Sequence, residues 1–141
     1  MIELVPCDAA RDGAFIRDLT RENFFELMRA TWREDRHQRE PTNPERYTMV
    51  RRDGETIGFF AVRRDDDCLY LQTIQLVGAA RGAGLGSQLM QHIHGLAAGA
   101  PCVRLRVLRG NPGAKRLYER LGYEVVAEDD HAFVLELRLP T

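Results

Sequence analysis

Arg81-Gly82-Ala83-Gly84-Leu85-Gly86-Ser87 decides how this chain is read, because a strand-like run ends just before it and a helix-like run begins inside it. Glycines at alternate positions keep side chains away, so successive backbone N–H groups can point into one concavity at the positive end of the following helix. Such a concavity suits a diphosphate. A Rossmann loop would need a third glycine where Ser87 stands, and a P-loop would need Lys then Ser or Thr after the last glycine, where this chain has Ser87-Gln88. What remains is Arg-x-x-Gly-x-Gly, with Arg81 on the strand side and able to fix a phosphate by a bidentate contact. The plain alternative is a tight strand-to-helix turn that holds nothing.

A second constellation lies downstream. Asn111-Pro112-Gly113-Ala114-Lys115-Arg116-Leu117-Tyr118-Glu119-Arg120-Leu121-Gly122-Tyr123 reads as one short helix with both ends marked. Asn111 suits the N-cap, Pro112 the first helical position and Gly122 the left-handed stop. Ala114, Leu117, Tyr118 and Leu121 share one face at helical spacing, which turns Tyr118 toward the protein. A core tyrosine whose hydroxyl finds any acceptor is the bland reading of that residue.

Together these residues resemble the GNAT superfamily of N-acyltransferases. Ile74-Gln75-Leu76 and the loop through Leu85 are similar to its acyl-CoA-binding motif. Asn111 to Tyr123 is similar to its Asn-x-x-Ala-x-x-Leu-Tyr-x-x-x-Gly-Phe/Tyr motif, with every named position occupied. The matches span residues 74 to 123, and Gly78 departs from them where the family often has proline. The resemblance implies acetyl-CoA as cosubstrate, held by Ile74, Leu76, Arg81, Gly82, Ala83, Gly84, Leu85, Gly86, Ser87, Asn111 and Tyr118. It further implies catalytic roles for Tyr118, as acid to the leaving thiolate, and for the backbone near Leu76, as oxyanion donor. The implied fold is a single GNAT-like domain over 1–141. It is α/β (α+β), with a mixed, mostly antiparallel sheet of six to seven strands flanked by about four helices.

The wider sequence agrees with a small enzyme. At 141 residues one domain can bury about two-thirds of its unfolded surface. A net charge of -1 argues against nucleic acid, which calls for a basic excess. Cys7, Cys68 and Cys102 are odd in number, far apart and in apolar settings, so they read as reduced core residues with no disulfide. The N-terminal residues lack a signal-peptide pattern and no segment reaches membrane-spanning length, so a cytoplasmic protein is expected.

Along the chain, strand Ile2 to Val5 precedes a helical region from Ala9 to about Gln38, with a break expected near Arg21 to Asn23. Phe15, Ile16 and Leu19 supply one apolar face, and Phe25, Met28 and Trp32 another. Pro41 and Pro44 end it. Strands Tyr47 to Arg51 and Thr56 to Arg64 are joined by Asp53-Gly54, a two-residue hairpin signal. Strand Cys68 to Leu76 follows, then the glycine loop, a helix carrying Leu85, Leu89, Ile93 and Leu96, and strand Cys102 to Val107. After the Tyr118 helix come strands Tyr123 to Ala127 and Ala132 to Leu139. That order gives a mixed α/β sheet.

Amide formation sets the chemistry to look for. A primary amine with a pKa near ~10.4 costs roughly 4 to 5 kcal/mol to deprotonate at neutral pH, yet strand Cys68 to Leu76 carries no carboxylate. The proton acceptor is then a water relay or a base from Glu22, Glu26 or Glu34. Attack on a thioester makes an oxyanion that an unpaired strand N–H can stabilise by some 2.7 to 4 kcal/mol. No cysteine has a histidine or helix N-terminus evident beside it, which disfavours a covalent route. His92 and His94, two apart on a helix, make no metal pair. Asp65 to Asp67 and Glu128 to Asp130 read as solvated turns, the second beside the family's acceptor cleft, where a cationic substrate could sit. Trp32, with Glu34 and Asp35, fits a core stripe or an acceptor pocket. Three functions stay open: an acetyltransferase acting on an amine, a catalytically silent acyl-CoA sensor, and a structural module with an empty loop. The complete Tyr118 motif favours the first. The acceptor's identity carries no readable motif, and the chain's size is compatible with a homodimer.

Overall fold

The computed structural model describes residues 2–27, 43–65, 67–82 and 84–140, with backbone alone at 24–27. In chain order these are β1 (Ile2–Pro6), α1 (Ala9–Leu27), β2 (Tyr47–Arg52), β3 (Glu55–Asp65), β4 (Cys68–Leu76), α2 (Leu85–Leu96), β5 (Cys102–Leu108), α3 (Pro112–Arg120), β6 (Glu124–Glu128) and β7 (Ala132–Arg138). The strands form one seven-stranded sheet in the order β1-β2-β3-β4-β5-β7-β6. The expected mixed sheet is present, with three described α-helices where about four were expected. No described helix is long and apolar enough to cross a membrane. The chain divides into two compact units, Met1–Ala61 with Thr73–Arg81 and Val62–Gln72 with Gly82–Thr141.

In the first unit β1, β2 and β3 run antiparallel, with Leu4 opposite Val50 and Met49 opposite Phe59. Asp53 and Gly54 both take positive φ, 54° and 79°, the geometry of a hairpin turn whose twist matches its strands. Asp8 starts α1 by accepting from the N–H groups of Ala10 and Arg11, and Asp12 reaches back to the Asp8 N–H at 2.9 Å. Ile16 and Leu19 of that helix pack on Met49 and Phe59. The break expected near Arg21 to Asn23 does not occur, because the Asn23 amide is engaged by Gln75 and Leu76 and so does not compete for its own helix's backbone. Met28, Trp32, Glu34, Asp35 and Pro41 lie outside the described residues, as do the side chains of Phe25 and Glu26.

In the second unit β4 and β5 are parallel, pairing Leu69 with Val103 through Leu71 with Leu105. β7 lies antiparallel between β5 and β6. Leu85, Leu89, Met90 and Ile93 are buried at helical spacing on α2, and Val103 and Leu105 of β5 are buried as well. Asn111 caps α3 by accepting from the Ala114 N–H at 3.2 Å.

The expectation of three reduced cysteines is corrected here. Cys68 and Cys102 are joined by a disulfide, Cα to Cα 4.9 Å. They are 34 residues apart in sequence, but the parallel register that pairs Leu69 with Val103 sets them side by side one step earlier. Cys7 alone is free.

Candidate functional site

The glycine loop is best understood from its backbone. Gly82 and Gly84 hold φ of 82° and 76°, a region where any other L-residue is strained. Gly84 is the N-cap of α2 and makes no side-chain cap bond. The first helical bond of that turn runs from the Gln88 N–H to the Gly84 carbonyl, so the N–H groups of Leu85, Gly86 and Ser87 come before the intrahelical ladder. A Cβ built on Gly82 or Gly84 would meet nothing within 4 Å. The loop therefore presents bare backbone to open space at a helix N-terminus. At Gly86 a Cβ would lie 3.7 Å from Leu117 of α3, an ordinary packing distance. Leu85 is buried beneath the loop, and Ala83 falls outside the described residues.

The end of β4 belongs to the first unit. Ile74, Gln75 and Leu76 are each half-buried. Gln75 donates to Thr20 at 3.2 Å and to Thr73 at 3.0 Å, and accepts from Asn23 at 3.3 Å. The Arg81 guanidinium donates to the Leu76 carbonyl at 3.3 Å and to the Asn23 side-chain oxygen.

Tyr118 is 7% exposed, as its helical face predicts. Its ring meets Tyr123 edge-on with centroids 5.7 Å apart, and the Tyr123 hydroxyl lies 2.8 Å from His94 Nε2. Burial pushes the Tyr118 phenol up to about 12 and raises Tyr123 as well. Burial also lowers the His94 imidazole. All three groups are thus held neutral at physiological pH, and Tyr118 is a proton-bearing donor.

Other candidates are placed as follows. Glu22 is exposed on α1, Glu34 lies outside the described residues, and the Glu26 side chain is not described. Asp129 organises its own turn, accepting from the N–H groups of His131 and Ala132 at 2.7 and 2.8 Å. Those bonds hold its carboxyl below the usual range. Arg106 and Arg109 pair with Asp129 and Glu128, so this acidic turn is already supplied with cations. Cys68, Cys102 and Glu136 bring ligand-type atoms within 4.8 Å of one another. Both sulfurs are committed to the disulfide, and Glu136 accepts from Arg104 at 2.9 Å.

The model of the Acetyltransferase (GNAT) family matches residues 13–123. The chain belongs to the GNAT acetyltransferase family. Among solved structures it is similar to the PaiA N-acetyltransferase of Thermoplasma acidophilum in complex with coenzyme A. The two are 16% identical over 99% of each chain, with a TM-score of 0.80. An acetyltransferase of Thermus thermophilus is likewise 16% identical, covering 99% of this chain and 97% of that one at a TM-score of 0.77. N-acetylglutamate synthase of Neisseria gonorrhoeae, complexed with coenzyme A and N-acetyl-glutamate, is 16% identical at a TM-score of 0.77. There the chain spans 100% of its own length and 36% of the other.

The GNAT sequence motifs pointed to the glycine loop, the β4 end, Asn111 and Tyr118, and gave no role to Asn23, Thr20 and His94, which the structure places in hydrogen bonds with Gln75 and Tyr123. A signal for two of them was present. Ile16, Leu19, Thr20 and Asn23 follow the i, i+3, i+4, i+7 spacing of one helical face. Two polar residues on an otherwise core-facing stripe call for buried partners. His94 carried no comparable mark, because its partner Tyr123 is distant in sequence.

Proposed function

We propose that this GNAT-family protein transfers an acetyl group from acetyl-CoA to a primary amine of a small molecule or peptide, by direct attack of the amine on the thioester. The observation that carries this is the left-handed Gly84 N-cap of α2, which has no side-chain cap. A diphosphate is the group that such a run of bare N–H donors and a helix dipole favour. The open space where a Cβ would stand on Gly82 and Gly84 fits its close approach.

Acetyl-CoA supplies the activated acyl carbon and a thiolate leaving group. The new bond joins the amine nitrogen to that carbon as the carbon–sulfur bond breaks, and the amine's surplus proton leaves to water or a base. The Leu76 amide is assigned to the thioester oxygen as its charge develops. Tyr118 donates a hydrogen bond to sulfur. Its phenol near about 12 makes complete proton transfer to a thiolate, conjugate acid pKa about 8.5, uphill by roughly 5 kcal/mol, so donation and bond cleavage are coupled. The net charge of -1 speaks against a nucleic-acid partner, and the partner we assign is the amine acceptor.

A thiol-release screen with acetyl-CoA across amine classes tests this. Acceptor-dependent release is expected for at least one class. Binding of CoA without release for any amine would turn the reading to an acyl-CoA sensor, and no CoA binding by calorimetry would overturn it.

A further inference from the structure

We infer that Asn23 is a positioning residue, which together with Arg81 fixes the peptide plane at the end of β4. This rests on the reading that the Leu76 backbone receives the thioester carbonyl. The plane between Leu76 and Val77 is held at both edges. Its N–H, on Val77, donates to the Ile57 carbonyl at 2.9 Å. Its carbonyl, on Leu76, accepts from Arg81 Nε at 3.3 Å and from Asn23 Nδ2 at 3.5 Å. Asn23 Oδ1 in turn accepts from the Arg81 guanidinium, and Asn23 Nδ2 also reaches Gln75 Oε1 at 3.3 Å. One amide therefore ties together the strand backbone, the side chain before it and the arginine that leads into the glycine loop.

The far side of the strand is equally constrained. A Cβ on Gly58 would lie 2.7 Å from Leu76 Cδ2 and 3.2 Å from Leu76 Cα, and would also clash with the Gln75 carbonyl oxygen. β3 thus presses on the backbone of Gln75 and Leu76 while Asn23 and Arg81 hold the carbonyl. A backbone donor aimed at developing charge acts best when it need not reorganise; that donor, the Leu76 N–H, lies in the preceding peptide plane, whose Gln75 carbonyl is packed against Gly58 and which shares the Leu76 Cα with the plane that Asn23 and Arg81 hold. Only an amide suits position 23 fully. It donates to Leu76 and accepts from Arg81 at once, whereas aspartate can accept but cannot donate and alanine can do neither.

The test uses Asn23→Ala and Asn23→Asp in the full chain. Expected is a loss in kcat of about tenfold in both, with the KM for acetyl-CoA and the Kd for CoA within twofold of the parent. Aspartate should be no better than alanine, although it keeps its charge partner. Independently of activity, amide hydrogen exchange in the peptide covering Leu76 and Val77 should be at least threefold faster in both variants. Unchanged exchange there, or a CoA affinity that falls in step with kcat, would overturn the inference. A parent protein that neither binds CoA nor acetylates any amine would instead overturn the acetyltransferase reading, and the exchange result would still decide the role of Asn23.

Discussion

The ring of Tyr118 stands edge-on against that of Tyr123, centroid to centroid 5.7 Å, and Tyr123 is in turn held by His94 at 2.8 Å. This stack fixes where the Tyr118 hydroxyl points and strips water from its ring. Removal of the hydroxyl alone, Tyr118→Phe, should leave the stack standing. A hydrogen bond to a group developing charge contributes about 1.5 to 3 kcal/mol, so kcat should fall on the order of 10- to 100-fold with the Kd for CoA within twofold. Because the phenol is pushed up to about 12, the rate profile should show no alkaline limb from Tyr118 below pH ~10. Steady-state kinetics of the two proteins over pH 6 to 10 check both points, and equal turnover would remove Tyr118 from the mechanism.

His94 makes a prediction about stability. Its folded pKa is depressed by burial, so protonation favours the unfolded chain. Its contribution is fully present above the unfolded value near ~6.5 and is lost as pH falls through the lower folded value. Thermal midpoints should therefore decline as pH drops from about 7 to 5. His94→Gln, which keeps a polar group beside Tyr123 but cannot titrate, should flatten that slope. An identical slope in both proteins would place the acid sensitivity elsewhere.

Local chemistry was readable directly from the chain and non-local pairing was not. Asp53-Gly54, the cap at Asn111 and the limits of β4 are each set by a few adjacent residues, and each appears where the sequence places it. The continuity of α1 through Asn23 depends on Gln75 and Leu76, more than fifty residues away. The insertion of β7 between β5 and β6 and the meeting of Cys68 with Cys102 are likewise consequences of strand register. Within the candidate site, the motif pointed to the glycine loop, Asn111 and Tyr118. Asn23 and His94 answer to partners across the fold.

The Cys68–Cys102 bond closes a covalent loop that contains most of β4, the glycine loop and all of α2. With its ends 34 positions apart in sequence, the loop-entropy argument assigns it about 4 kcal/mol. For a chain of this length that corresponds to a thermal midpoint higher by roughly 10 °C. Cys68→Ser with Cys102→Ser should lower the midpoint by that order, and a reductant should lower the parent's midpoint similarly while leaving the double variant unmoved. Calorimetry of both proteins with and without reductant checks this. No response of the parent to reductant, with both thiols titrating as free, would show that the pair does not stay bonded.

Gly84 separates conformation from contact at the loop. A Cβ there meets no atom within 4 Å, so steric collision is not at issue, but φ is 76°. Alanine in that region costs about 1 to 2 kcal/mol. The chain can accept that strain, which lowers stability, or rotate the peptide, which turns an N–H away from the concavity. Gly84→Ala should therefore weaken CoA binding by about tenfold, since 1.4 kcal/mol is a factor of ten, with kcat at saturating acetyl-CoA changed far less. Titration calorimetry with CoA gives the first number and initial rates give the second. At Gly78, whose Cβ position is also open but whose φ is not in the positive range, alanine should leave affinity within twofold. The pair of variants isolates the left-handed backbone as the source of the effect, and equal losses at both positions would refute a diphosphate role for the Gly84 turn.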